Sequence, residues 1–289
     1  MIRIWVMAAR LRTLPAAIAP VLVGTSLART EGTFRAGAFI AALLGAIFIQ
    51  VGTNLSNDYS DARRGADTED RLGPVRVTAG GLVPPRQVLI ATYVTFGLAV
   101  VCGAYLVYVA GPALLAIGAA SILAGVLYTG GPRPYGYEGL GEVFVFLFFG
   151  IVAVTGSYFV QVEKLEWEAF ALAVPVGLLA AAILVVNNVR DIDTDRRAGK
   201  RTLAVRLGRP GARTLYSVML LVAYVTLIPV VFPLSAWVLL PVVTLPLAAR
   251  LARTVRAHVD GPTLNAALAQ TGMLQLGFCV LLSVGILAS

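Results

Sequence analysis

The chain has 289 residues, 58% hydrophobic and only 13% charged, with a mean hydropathy of +0.83. A soluble domain carries roughly 25% charged residues, so the composition excludes a water-soluble globule and points to an all-α protein that crosses the bilayer many times. The net charge of +8 reads as membrane topology and not as a nucleic-acid footprint, because of where the basic residues fall.

Nine apolar stretches approach the roughly 20 residues needed to cross hydrocarbon. They cover 13–28, 36–56, 87–110, 112–129, 139–160, 169–189, 212–232, 234–250 and 267–288. The expected architecture is about nine transmembrane helices around a central cavity, one domain over 1–289, with loops capping one side. Arg10 and Arg12 interrupt the first apolar run and argue against a cleaved signal peptide. Gly111-Pro112 and Phe232-Pro233 mark tight turns between consecutive spans. With the N-terminus inside, all but Arg29, Arg35 and Lys164 of the 23 Lys and Arg residues lie on the inner side, as an odd number of spans predicts. This places the multi-pass chain in the inner (plasma) membrane with its long loops, 57–86 and 190–211, in the cytoplasm. Cys102 and Cys279 lie in separate spans without ligand spacing and read as packing residues. His258, the single histidine, sits in a basic inner loop and reads as surface.

Two inner stretches carry the polar chemistry. The first, NLSNDYSDARRGADTEDRLGPVR (54–76), follows the second span. Its Asn54, Asn57, Asp58 and Asp61 fall at i, i+3, i+4 and i+7, one face of a helix. The second, NNVRDIDTDRRAGKRTLAVR (187–206), follows the sixth span. It repeats the design with Asn188, Asp191 and Asp195, with Asn187 beside them. Carboxylates gathered at a membrane boundary repel unless a cation joins them, and acids in such places default to function. Asp carboxylates with Asn carbonyls form a hard-oxygen set suited to Mg²⁺, which binds through a few carboxylates plus substrate phosphate oxygens. Neighbouring cations, among them Arg63, Arg64, Arg71, Arg76, Lys200, Arg201 and Arg206, suit phosphate charge.

The pair NDYSD (57–61) and DIDTD (191–195) resembles the Asp motifs of the UbiA superfamily of intramembrane prenyltransferases. The segments 57–76, YTGGPRPYGYEGLGE (128–142), 187–208 and RLRTLPAAIAPVLVGT (10–25) resemble the branch that prenylates 1,4-dihydroxy-2-naphthoate in menaquinone synthesis. The resemblance implies transfer of a polyprenyl chain from polyprenyl diphosphate to that acceptor, with loss of CO₂ and diphosphate, giving demethylmenaquinol within the lipid bilayer. It implies Mg²⁺, with Mn²⁺ as a substitute, held by Asn57, Asp61, Asp191 and Asp195. Asp58 is then a further ligand or orients one, giving a catalytic set of Asp58, Asp61, Asp191 and Asp195. Arg64, Arg71, Arg76, Lys200 and Arg206 are expected on the diphosphate, with Asn54, Asp67 and Asn188 supporting. Where the wider superfamily often has a third Asp, this chain has Gly65, and the next acid is Asp67. Arg133, Tyr137 and Gln161 are candidate acceptor contacts, and Phe144, Phe146, Phe148 and Phe149 candidate walls for the tail. Glu142 reads as a helix-start residue.

Competing readings are another acceptor on the same scaffold, such as 4-hydroxybenzoate, homogentisate or a lipid alcohol, a phosphotransferase acting on a CDP-linked lipid, and a cation transporter. The phosphotransferase wants one extended acidic motif. The transporter wants acids near mid-span on broken helices.

Overall fold

The computed structural model describes residues 2–66 and 72–289. Among these, every regular element is helical. The chain opens with α1 (Ile2–Ala9), which passes through a short 3₁₀ turn (Leu11–Thr13) into α2 (Leu14–Thr30). Next come α3 (Ala36–Arg63), α4 (Pro85–Ala110) and α5 (Ala113–Leu127). Then α6 (Gly141–Val145) runs through a π-helical stretch (Phe146–Val152) into α7 (Ala153–Val162). The last four are α8 (Trp167–Arg197), α9 (Leu203–Val225), α10 (Leu245–Ala257), which is preceded by the 3₁₀ segment Ala236–Thr244, and α11 (Gly261–Leu287). Eight helical units are long and apolar enough to span a membrane, and α5 is a shorter apolar ninth. Each falls on one of the nine expected spans.

The helices carrying the motifs are longer than expected. At 1.5 Å per residue, the 28 residues of α3 and 31 of α8 reach ~42 and ~46 Å, well past a ~30 Å hydrocarbon core. The expected loop 57–86 therefore begins only after Arg63. The loop 190–211 shrinks to a few residues between Arg197 and Leu203. Hydropathy falls at Asn57 and Arg190, but the polar side chains there are buried inside the bundle, so helical hydrogen bonding continues past the drop.

The most buried span is α8. Its apolar residues form the main core with α2, α7, α9 and α11. A smaller cluster joins Ala8 of α1, Leu55 of α3, Val88 of α4, and Val77 and Val83 of the loop between α3 and α4. The crossing of α8 with the π-helical stretch is close. A methyl group on Gly150 would stand 2.6 Å from the Gly177 Cα, and one on Gly177 would stand 2.8 Å from the Phe146 carbonyl oxygen. Only glycine at both positions permits that approach. The extra residue of a π-bulge also re-aims the side chains that follow it. Here Phe144, Phe148, Phe149 and Val152 face a central cavity, while Phe146 packs toward Gly177. Phe146 is therefore not a wall residue as expected.

Candidate functional site

A cavity of about 1000 Å³ occupies the middle of the bundle. It runs along α3 from Ala42 to Asp61, ~29 Å by helical rise. Its lining includes Asn54, Asn57, Asp58 and Asp61 from α3, and Asn187, Asn188, Asp191 and Asp195 from α8. The helical spacings thus do put each set on one face, and the fold turns both faces to one space. Arg10, Arg76, Arg190 and Lys200 also line it, and its remaining length is mostly apolar, with Ile49, Ile122, Phe148, Phe149, Val152 and Leu184, and small residues such as Gly45, Gly103, Gly118 and Gly156. Val100, Leu115 and Ile117 line the cavity and are also exposed at the bundle surface, so it reaches the outer side at α4 and α5.

At the polar end, Asp61 is buried. Its Oδ1 accepts the Tyr137 hydroxyl at 2.6 Å and lies 3.7 Å from Lys200 Nζ, while Oδ2 lies 3.4 Å from Arg76. Lys200 also stands 4.0 Å from Asp195 and 4.6 Å from the centre of the Tyr137 ring. Asn57 Oδ1 accepts the Thr129 hydroxyl at 2.9 Å. Asn188 donates to Glu142 Oε1 at 2.9 Å, so Glu142 does more than begin a helix. Both oxygens of Asp191 are held by Arg190, at 2.7 and 2.5 Å.

Asp58 has a different task. Its two oxygens accept the backbone N–H groups of Val77 and Thr78 at 3.0 and 2.9 Å. It therefore anchors the loop that delivers Arg76 to Asp61, which is the orienting alternative. That loop turns tightly, with Gly80 N–H on the Arg76 carbonyl (2.9 Å) and Gly81 at φ +67°. A methyl group on Gly80 would stand 2.8 Å from the same carbonyl oxygen. Asn54 is supporting in a literal sense. It donates to the Ala9 carbonyl and the Thr13 hydroxyl, each at 3.0 Å, and Gln50 reaches Thr13 at 2.9 Å, so α3 holds the N-terminal segment over the cavity.

Two further loops meet here. Arg201 N–H donates to the Tyr137 carbonyl at 2.8 Å and Gly136 N–H to the Tyr128 carbonyl at 3.0 Å. Tyr135 stacks on Phe144 with ring centres 4.0 Å apart and donates to the Ala124 carbonyl at 2.7 Å. Burial pushes the Tyr135 phenol up, so it remains a donor.

Several expected contacts lie elsewhere. Arg64 donates to the Gly131 carbonyl, Arg206 sits 3.5 Å from Glu138, and exposed Arg133 lies 3.4 Å from the same Glu138. None of the three lines the cavity. Gln161 is corrected too. Its Oε1 accepts the Arg35 N–H at 2.6 Å and its Nε2 donates to the Arg35 carbonyl at 3.3 Å, at the far end of α3. Tyr137 is present, but bound to Asp61 and not set as a ring contact. Asp67 and Arg71 lie outside the described residues. Sequence reasoning counted Arg10 and Arg190 as topology only, yet both line the cavity. Arg10 carries a signal visible only in the backbone, a left-handed conformation (φ 56°, ψ 57°) uncommon outside glycine.

Among the described residues, no three His, Cys, Asp or Glu side chains converge closely enough to hold a metal unaided. The donors are all hard oxygens split between two helices, and protein cations stand beside them. That set fits Mg²⁺, which keeps waters and shares its shell with phosphate oxygens.

The profile of the UbiA prenyltransferase family matches residues 17–286. The 1,4-dihydroxy-2-naphthoate octaprenyltransferase of Mycobacterium tuberculosis is 44% identical over 272 residues, covering 94% of this chain and 92% of that protein. The enzyme of the same name from Escherichia coli is 39% identical, covering 92% and 89%. The fold is similar to that of a UbiA homolog from Archaeoglobus fulgidus bound to DMAPP and Mg²⁺, with a TM-score of 0.70 at 14% identity, covering 98% of this chain and 99% of that one.

Proposed function

The chain belongs to the UbiA prenyltransferase family, and from that premise we propose that it transfers a polyprenyl chain from its diphosphate to 1,4-dihydroxy-2-naphthoate. Diphosphate and CO₂ leave, and the product is demethylmenaquinol. The observation that carries the reading is a pair of Asn/Asp faces on α3 and α8 closing one end of a long apolar cavity, in a chain 44% identical to a naphthoate octaprenyltransferase.

The donor's diphosphate sits at the polar end and its tail lies in the apolar slot, reaching lipid past α4 and α5. Mg²⁺, or Mn²⁺ in its place, would be held by Asn57, Asp61, Asp191 and Asp195 and would supply positive charge to the diphosphate oxygens as the carbon–oxygen bond opens. Lys200 and Arg76 offset charge growing on the leaving group, the electrostatic contribution that is usually largest. Tyr137 holds Asp61 in place, and Asp58 holds the loop that bears Arg76. The segments 72–84, 129–140 and 198–202 cover the site and keep water from the allylic cation. The acceptor ring attacks that cation where the polar end gives way to the stacked Tyr135–Phe144 pair. Arg64, Arg133 and Arg206 serve the edge of this cover, and the motif side faces the cytoplasm of a cell bounded by the inner membrane.

The test uses purified protein in detergent, a radiolabelled polyprenyl diphosphate, and either 1,4-dihydroxy-2-naphthoate or 4-hydroxybenzoate, with Mg²⁺, Mn²⁺ or EDTA. A decarboxylated, prenylated naphthalene formed only with metal is the expected product. Product from the benzoate alone keeps the scaffold and replaces the acceptor. No product from either, in folded protein, overturns the reading.

A further inference from the structure

Arg190 is among the largest fully buried side chains of the molecule, and its bonds lead from one end of the site to the other. Its Nε and one terminal nitrogen grip the two oxygens of Asp191. That nitrogen also donates to Asn187 Oδ1 at 2.9 Å, and the other donates to Asn265 Oδ1 of α11 at 2.6 Å. Asn265 in turn donates to the Leu72 carbonyl at 2.9 Å, at the start of the described part of the loop that brings Arg76 to Asp61. Sequence neighbours on a helix point about 100° apart and do not normally face each other. Arg190 must therefore turn back around α8 to hold its own neighbour, an ordering that costs a long side chain much of its rotamer freedom.

Stability alone does not account for this. A buried ion pair is a poor stabiliser, because desolvation offsets its attraction and apolar residues of similar volume often do as well. What the fork does provide is direction, since two parallel N–H···O bonds fix the plane of a carboxylate as well as its position. We infer that Arg190 is a positioning residue that sets the Asp191 carboxylate for the divalent cation and, through Asn265 and Leu72, couples that carboxylate to the loop carrying Arg76. The inference rests on the metal-dependent reading above. Arg190 gives Asp191 its counter-charge, as Lys200 and Arg76 do for Asp61, so neither acid is uncompensated. Asp191 itself lines the cavity, and a fixed plane keeps its remaining lone pairs in one orientation there.

The experiment reads metal directly. Mn²⁺ is titrated into the full-length protein in detergent with inorganic diphosphate present, and free Mn²⁺ is followed by electron paramagnetic resonance. Thermal midpoints are taken on the same samples. Arg190→Lys keeps the charge and removes the fork. It is expected to raise the apparent Mn²⁺ dissociation constant about tenfold, and to lower kcat while leaving the KM for the acceptor unchanged. Asn265→Ala leaves Arg190 and Asp191 in place and is expected to weaken Mn²⁺ about threefold. Parent-like Mn²⁺ binding in both variants overturns the inference while leaving the metal reading intact. If Arg190→Lys fails to fold, Asn265→Ala decides alone by the same criterion. A parent protein that binds no Mn²⁺ with diphosphate removes the metal reading, and this inference with it.

Discussion

Asp61 is held by Tyr137, Lys200 and Arg76, while Asp191 is held by Arg190, so the two acids enter the site with different neighbours and the same charge. Asp61→Asn and Asp191→Asn each keep the side chain's shape and remove its charge. Each should cut turnover at least ~100-fold, the scale seen when a preorganised electrostatic group is lost, with thermal midpoints near the parent's. Steady-state rates near normal in both would remove the metal site from the account. Tyr137→Phe deletes one hydrogen bond to a charged group, ~1.5–3 kcal/mol, and should lower kcat about tenfold or more, measured in the same assay. The acids were legible in the sequence because helical spacing alone fixes which side chains share a face. The cations were legible only in part: Arg76 and Lys200 do stand beside Asp61, but others do not. An arginine's destination depends on partners distant in sequence, so Arg206 ends on Glu138 and Arg64 on Gly131, while Arg190, counted as one of many topology charges, lies at the centre. Gln161 misled for a related reason, since a polar group in an apolar run marks a bridge between helices as readily as a pocket.

The ends of α3 and α8 were misjudged in the sequence because hydropathy records only the transfer to lipid, and here polar residues stay helical inside a protein cavity. Their crossing partners were illegible as well, since nothing local distinguishes Gly150 and Gly177 from other small residues until the helices meet. Gly177→Val forces a branched side chain against the Phe146 carbonyl. Overpacking of this kind costs ~1–3 kcal/mol, and a shift of roughly 4–8 °C in thermal midpoint follows for ~2 kcal/mol. A fluorescence melt in detergent would detect it, and an unchanged midpoint would mean that the crossing yields freely. At the opposite end of the bundle, Lys164 pairs with Glu31 at 2.7 Å, and Tyr158 donates to the same carboxylate. Burial pushes the Glu31 carboxyl up, but the bonds from Lys164 and Tyr158 and the lysine's charge outweigh it, and the net effect is below 4.5. Bonds to Glu31 and then Glu166, with the charge of both, raise Lys164 above 10.5. A lowered acid contributes stability above its unfolded value and loses it as pH falls through the folded one. A raised lysine contributes below its unfolded value and loses it at higher pH. This link should therefore be intact between about pH 4.5 and 10.5, and Glu31→Gln should flatten the acid side of the melting profile compared with the parent.

Across the whole molecule, the cavity is nearly as long as the bilayer is thick, and small residues line its apolar part. Gly103 and Gly118 both line it, and a methyl group added at either meets nothing within 4 Å. Gly103→Leu and Gly118→Leu should therefore fold normally and narrow the slot. Turnover with a long polyprenyl diphosphate should fall several-fold more than turnover with a ten-carbon donor, and an equal fall with both would show that the tail runs elsewhere. A central cavity was expected, with Phe144, Phe148 and Phe149 among its walls, but its length and its small-residue lining were not legible in the sequence, because the shape of a channel is a property of how helices pack. The division of the site between α3 and α8 also bears on how the protein is made. Asp61 leaves the ribosome long before Asp195, and at ~5–20 residues per second the interval is on the order of ten seconds. Throughout it, the first half of the site is in the membrane without Lys200, Arg190 or the second set of acids. A nascent or truncated chain that ends before the sixth span should therefore be inert toward diphosphates, with both acid sets present only after α8 has been made.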